Sequence, residues 1–150
     1  MFRSLSRYLL LFLCLLAQPL RAEVVDIDNS RLAQLLAQGV PLVDVRTEPE
    51  WRESGVVAGS RLLTFFDAQG RVDPQAWLAR LQGVATPERP VILICRSGRR
   101  SMAAARFLVD QGGYKTVYNV TGGVQSWSKD GRALVPPTTV MAVCPAGRSC

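Results

Sequence analysis

The sequence predicts an α/β fold, a mostly parallel central sheet with helices on both faces. Short apolar runs alternate with helical segments along the chain, which is the order that parallel strands and their crossover helices produce. Turn and cap residues separate these segments. Residues 91–94 are apolar without interruption, as is typical of a strand buried on both faces. Together these three observations favour a single domain with one sheet.

The first predicted strand, residues 24–27, leads directly into a helix. Residues 28–30 (Asp-Asn-Ser) supply N-cap side chains for a helix that extends to about Gln38, and Gly39 ends it. Residues 41–45, which are apolar apart from Asp44, are then predicted to form a buried strand.

The middle of the chain predicts shorter elements. Residues 49–53 indicate a short helix closed by a glycine, and residues 62–64 a small strand. Asp73 and Pro74 have the order of an N-cap followed by a proline at the first helical position, which opens a helix to about Leu81.

The last third predicts strand 90–94, helix 101–111, strand 116–120 and a final helix between a Gly-Gly pair and Gly131. The tryptophans are expected to lie in the core rather than around a substrate: Trp51, Trp77 and Trp127.

The first 22 residues match a secretory signal peptide. Arg3 and Arg7 form a basic start, residues 9–17 an apolar segment, and cleavage is expected after Ala22. The apolar segment is shorter than the roughly 20 residues of a spanning helix, so no stable membrane anchor is expected after cleavage. Cys14 follows a leucine rather than a small residue, which argues against lipidation. We therefore expect export, to the periplasm if the source is a Gram-negative bacterium and otherwise by secretion.

The mature chain is expected to contain a domain over residues 23–135 and a flexible tail over residues 136–150. Loss of the leader lowers the formal net charge from +6 to about +3, and the remaining basic residues are spread out except near Cys95. The sequence therefore indicates no nucleic-acid partner.

Two cysteines of the tail, Cys144 and Cys150, form a candidate disulfide in an exported chain. That pairing would leave Cys95 as a single thiol. The chain has no histidine and no C-x-x-C pair, so we expect no metal site and no cofactor.

Cys95 lies in a loop suited to an anionic sulfur. It follows strand 90–94 and precedes a helix, so unpaired backbone N–H groups and the positive end of the helix dipole face it. Arg96, Arg99 and Arg100 add positive charge. Both effects favour thiolate over thiol. An inert buried thiol would leave the three arginines unexplained.

Asp44 and Arg46 lie at the carboxyl end of strand 41–45, at the sheet edge where Cys95 also lies. Ligands of parallel sheets bind beyond the carboxyl ends of the strands, so these side chains are candidates for the rim of the site. The alternative, which we favour, is structural: Arg46 pairs with Glu50, and Asp44 caps neighbouring backbone.

Three blocks of the chain form a recognisable series. Residues 44–60 resemble the pattern "DVR…E(W/Y)…GHIxGA", residues 95–101 the loop C-R-S-G-x-R-S, and residues 122–131 the ending "GG…W…G". In this order the blocks resemble the rhodanese family of sulfurtransferases, over about residues 24–134. The histidine usual in the first block is Val56 here. The resemblance implies a single rhodanese-like domain.

The resemblance also implies a mechanism. Cys95 would take the outer sulfur of a small anionic donor such as thiosulfate as a persulfide and pass it to a thiophilic acceptor, cyanide or a thiol. Ser101 would either cap the helix, the usual role of serine there, or hydrogen-bond to the sulfur. The residues expected to bind substrate through backbone or side chain are Arg96, Ser97, Gly98, Arg99, Arg100 and Ser101.

Other classes share parts of this pattern. Cysteine phosphatases and arsenate reductases place five residues between cysteine and arginine, whereas four separate Cys95 from Arg100, which favours a single sulfur over a tetrahedral oxyanion. A thiol–disulfide exchange protein would use Cys95 with Cys144. Non-catalytic rhodanese-like modules often lack the cysteine that this chain retains.

Overall fold

The computed structural model describes residues 21–139, and the predicted α/β fold is confirmed there. Five parallel strands form one sheet in the order β1-β5-β4-β2-β3. In chain order they are β1 Glu23–Ile27, β2 Leu42–Asp44, β3 Arg61–Leu62, β4 Val91–Ile94 and β5 Thr116–Val120. Most of the predicted leader and the cysteines Cys14, Cys144 and Cys150 lie outside the described residues.

Five α-helices occur in the same part of the chain and cover both faces of the sheet. They are α1 Asn29–Ala37, α2 Glu48–Ser54, α3 Pro74–Leu81, α4 Arg99–Asp110 and α5 Gly123–Lys129. Helices α3 and α4 pack on one face, and α1 and α5 on the other. The helices that follow β1, β3, β4 and β5 therefore cover the two faces of the sheet, as the alternating sequence pattern predicts. Helix α2, which follows β2, packs in a separate cluster with Leu62 of β3.

The central strand β4 shows why an uninterrupted apolar run is needed. Successive side chains of a strand point to opposite faces. Leu93 accordingly packs in the cluster that contains Ala104 of α4, whereas Ile92 packs in the cluster that contains Leu32 of α1. All residues of β4 are fully buried. The strand that delivers Cys95 is thus held rigidly from both sides.

Helix α4 begins two residues earlier than the sequence predicts. Gly98 is its N-cap and adopts a left-handed conformation with φ 90°, so the helix starts at Arg99. The expectation that Ser101 caps this helix is wrong, since Ser101 lies inside the first turn. Strand β3 also differs: it spans Arg61–Leu62, not residues 62–64.

The tryptophans are buried as expected, and each belongs to a different apolar cluster. Trp77 of α3 shares a cluster with Val43 of β2, Trp127 of α5 shares one with Leu32 of α1, and Trp51 of α2 shares one with Val56. Val56 pairs with Val135 in an antiparallel bridge. Within residues 21–139, none of the helices combines the length and the apolar character needed to cross a membrane.

Candidate active site

Cys95 lies directly after β4, and its side chain is buried in a tight turn before α4. The Gly98 N–H donates a hydrogen bond to Cys95 Sγ at 3.1 Å. The left-handed backbone of Gly98 aims this N–H at the sulfur, and a Cβ there would come within 3.2 Å of Gly122 N and 3.1 Å of Val120 O. Glycine therefore allows both the turn and its close packing against the end of β5.

The N-terminus of α5 fixes the same turn from the other side. Val124 N–H donates to the Cys95 carbonyl at 2.9 Å, and Gln125 N–H donates to the Arg96 carbonyl at 3.1 Å. Gly123 has φ 58°, and a Cβ on it would overlap the Cys95 carbonyl oxygen. Gly123 is therefore required by backbone contact with the cysteine turn as well as by its own turn conformation.

Ser101 lies against the sulfur. Its Oγ is 3.3 Å from Cys95 Sγ and 2.7 Å from Asn119 Oδ1 on β5. Asn119 Nδ2 in turn donates to Asp26 Oδ1 on β1 at 2.7 Å. Of the two roles open to Ser101 from the sequence, the structure thus favours contact with the sulfur.

The three loop arginines occupy different environments. Arg96 and Arg99 are exposed, whereas Arg100 is partly buried and binds Glu50 of α2. Arg100 Nη1 donates to Glu50 Oε2 at 2.9 Å and Nη2 to Oε1 at 2.5 Å. Arg100 therefore ties the loop to α2, while the guanidinium groups of Arg96 and Arg99 remain open to solvent.

Glu50 is held as a carboxylate by this arrangement. Burial by itself raises the pKa of Glu50, but hydrogen bonds from Arg100 and from the Thr47 backbone and side chain outweigh it and lower the pKa to about 2. Glu50 also closes a capping box with Thr47 at the start of α2. One carboxylate thus stabilises the helix start and the active loop together.

Asp44 and Arg46 form a buried ion pair with each other. Arg46 Nη2 lies 2.7 Å from Asp44 Oδ2, and Nε donates to the same carboxylate. Arg46 also donates to Ser54 Oγ at 2.6 Å and to the Gly55 carbonyl at 2.8 Å. The predicted partner of Arg46 was wrong: Arg46 pairs with Asp44 and reaches only the backbone carbonyl of Glu50, at 3.4 Å. Side chains two residues apart at a strand end point to the same face, so the Asp44 carboxylate lies nearer to Arg46 than the Glu50 carboxylate does.

Two open clefts border the cysteine loop. One of about 690 Å³ is lined by Arg96, Arg46, Glu50 and Lys129, among others. The second cleft, of about 320 Å³, is lined on the loop side by Ser97, Gly98 and Arg99. Among residues 21–139, no group of three His, Cys, Asp or Glu side chains is placed to hold a metal ion.

Comparison with known proteins decides the family. The model of the rhodanese-like domain matches residues 28–130, which include the cysteine loop and both glycines that pack on it. The chain belongs to the rhodanese-like domain family. The match begins at the N-cap of α1 and ends just after α5, so it covers every strand of the sheet except β1.

Relatives of this rhodanese-like domain include proteins named as sulfurtransferases. Thiosulfate sulfurtransferase 18 of Arabidopsis thaliana is 36% identical over 108 residues, covering 70% of this chain and 79% of its own. A sulfurtransferase of Allochromatium vinosum is 32% identical over 116 residues, covering 76% and 97%. A rhodanese-related protein from Thermoplasma volcanium has a similar structure, with TM-score 0.54 and 26% identity over 74% of this chain and 97% of its own.

Sequence reasoning missed Asn119 and Asp26. Asn119 is an amide residue between Tyr118 and Val120 of β5, and this interruption was the available signal. Asp26 gives no such signal, because its place beside Asn119 follows from the parallel pairing of β1 with β5.

Proposed function

We propose that this rhodanese-like domain is an enzyme that transfers sulfane sulfur from thiosulfate or a similar anionic donor to cyanide or a thiol, through a persulfide on Cys95. The observation that carries the proposal is the position of Cys95 Sγ, 3.1 Å from the Gly98 N–H at the N-terminus of α4. Backbone donors and the helix dipole stabilise negative charge at this point.

The chemistry balances without an external base. The Cys95 thiolate attacks the outer sulfur of thiosulfate, the S–S bond of the donor breaks, and sulfite leaves with the electron pair. Cyanide or an acceptor thiolate then attacks the terminal sulfur of the persulfide, and Cys95 leaves as the thiolate. The nucleophile is regenerated, and the absence of histidine from the chain is compatible with this cycle.

In this proposal the three loop arginines either attract the donor or hold the loop in place. Arg96 and Arg99 are exposed beside the two clefts, so their charge attracts the anionic donor. Arg100 is bound to Glu50 and keeps the loop against α2. Ser97 and Gly98 contribute mainly backbone, with the Gly98 N–H directed at the sulfur.

The experiment is the intact mass of the purified protein, measured before thiosulfate, after it, and after subsequent cyanide. A gain of one sulfur atom on the peptide that contains Cys95, removed by cyanide, supports the proposal. Cys95→Ser is the matched control and should gain nothing. No gain on reduced Cys95 would contradict the proposal. A disulfide between Cys95 and Cys144 would instead indicate a thiol-exchange protein. Hydrolysis of an oxyanion ester would indicate a phosphatase-like enzyme.

We also propose that the chain is exported after cleavage at Ala22, and that Cys144 and Cys150 form a disulfide in the tail. The basic start and the apolar segment of residues 9–17 support export. The N-terminal sequence of the protein recovered from its native source tests the cleavage. Replacing both tail cysteines with serine should leave thiosulfate:cyanide turnover nearly unchanged; a loss of activity would place the tail in the mechanism.

A further inference from the structure

A buried chain of polar side chains leads from the surface of β1 to the sulfur of Cys95. Asp26 and Asn119 are register partners in the parallel pair β1–β5, and Asn119 contacts Ser101, which contacts Cys95. Asp26 is exposed, but Asn119 is only 3% exposed and Ser101 is fully buried. The cycle proposed above needs no role for Asp26 or Asn119.

The carboxylate of Asp26 determines the direction of this chain. A carboxylate only accepts hydrogen bonds, so the amide nitrogen of Asn119 must face Asp26, at 2.7 Å. The amide oxygen of Asn119 must then face Ser101 Oγ, also at 2.7 Å. A hydroxyl has one proton, and an amide oxygen at this distance requires it. Ser101 is therefore left with a lone pair directed at Cys95 Sγ.

We propose that Asp26 and Asn119 are positioning residues that commit the Ser101 proton to Asn119, so that Ser101 accepts the S–H of the resting Cys95 thiol. The inference rests on the proposed function, because it concerns the supply of the Cys95 thiolate for sulfur transfer. With the Ser101 proton committed to Asn119, the thiolate would receive the Gly98 N–H but not the Ser101 hydroxyl. Asn119 thus restrains thiolate formation in the resting site.

Other charges around Cys95 act on wild type and variants alike. They are the three loop arginines, the Asp44–Arg46 pair beyond β2, Glu50 and Glu53 on α2 and Lys129 on α5. Glu50 has a pKa of about 2 and stays ionised throughout a thiol titration. A shift of the Cys95 titration in variants of Ser101 or Asn119 therefore reports their own hydrogen bonds.

The test is a pH titration of the ultraviolet absorbance of the Cys95 thiolate in the full chain, reduced and freed of persulfide by cyanide. Each protein is corrected by its own Cys95→Ser counterpart, which removes the signals of tyrosine and of the other cysteines. Asn119→Leu frees the Ser101 proton to reach the thiolate, so the midpoint should fall by roughly one pH unit. Ser101→Ala removes the lone pair that accepts the S–H, so its midpoint should also fall.

Asn29→Leu is the matched control. Asn29 is a second buried asparagine that donates to a serine and an aspartate, Ser126 and Asp130, but has no contact with Cys95. Its substitution should leave the midpoint unchanged.

The sign of the Ser101→Ala shift is decisive even if Asn119→Leu does not fold. A rise in its midpoint would mean that the hydroxyl donates to the sulfur and would overturn the inference, as would an unchanged midpoint in folded Asn119→Leu. The titration needs no sulfur donor. Failure of persulfide formation with the expected midpoints would therefore contradict the proposed function alone.

Discussion

Glu50 and Arg100 are joined by two hydrogen bonds of 2.9 and 2.5 Å across 50 residues of sequence. The contact links α2, at the edge of the sheet, to the first turn of the helix that follows Cys95. Because Glu50 also caps α2 through Thr47, the position of the cysteine loop and the start of α2 depend on one carboxylate.

Glu50→Gln should lower the free energy of unfolding by about 1 kcal/mol near neutral pH, since solvent screens this half-buried pair. The pKa of Glu50 is about 2 in the folded protein against 4.5 ordinarily, so its contribution is complete above pH 4.5 and is lost as the pH falls toward 2. Urea unfolding of wild type and variant should therefore converge over that range. Glu48→Gln, which breaks the exposed pair with Arg52, is the control and should cost less. A difference that persists at pH 2 would contradict the assignment.

Gly123→Ala should destabilise the protein because the new Cβ would overlap the Cys95 carbonyl oxygen. Gly39→Ala is matched in having a left-handed conformation, with φ 78°, but its Cβ would contact nothing within 4 Å. We expect the control to cost about 1–2 kcal/mol from backbone strain. Gly123→Ala should cost about 1–3 kcal/mol more and should reduce persulfide formation. Equal losses in urea unfolding would show that the loop moves away freely.

Asp44→Ala should be among the most destabilising single changes, at about 3–5 kcal/mol, because it leaves the Arg46 guanidinium buried without its counter-charge. Replacing both residues, Asp44→Leu with Arg46→Met, removes the unpaired charge and should cost less than the single substitution. Urea unfolding of the three proteins measures the difference. If the double variant is the less stable one, the further bonds of Arg46 to Ser54 and Gly55 dominate.

Arg96→Gln and Arg99→Gln should each raise the KM for thiosulfate several-fold with a smaller change in kcat, because both side chains are exposed beside the loop. The effect should shrink at high salt, where exposed charges are screened. Arg106→Gln removes an exposed arginine of α4 outside the loop and serves as the control. A KM insensitive to salt in all variants would indicate that donor attraction does not depend on these residues.

The cysteine loop could be predicted from the sequence because its determinants are local. An apolar strand, a cysteine, a glycine and a helix follow one another within a few residues, and the strand–turn–helix geometry follows from their order. The hydrogen bond from the Gly98 N–H to Cys95 Sγ is one of these locally determined features. The start of α4 was misplaced by two residues because a left-handed glycine N-cap has no side-chain signal.

Pairings between elements were beyond local reasoning. Arg46 and Arg100 both lie near the carboxyl ends of strands, so their positions in the sequence would allow either of them to pair with Glu50. Because α2 packs against the loop, Glu50 pairs with Arg100. Arg46 pairs instead with Asp44, which lies at the end of its own strand. Such choices depend on distances of a few ångströms between segments far apart in the chain.

The sequence by itself determined the α/β fold, the family resemblance and the place of Cys95 between a strand and a helix, because periodicity and turn residues act over short distances. Only the tertiary structure decided which side chain contacts the sulfur and which side chains orient it. The order β1-β5-β4 sets Asp26 beside Asn119 and Asn119 beside Ser101, across 93 and 18 residues of sequence. Hydrogen-bond direction follows from that contact geometry, which no local pattern contains.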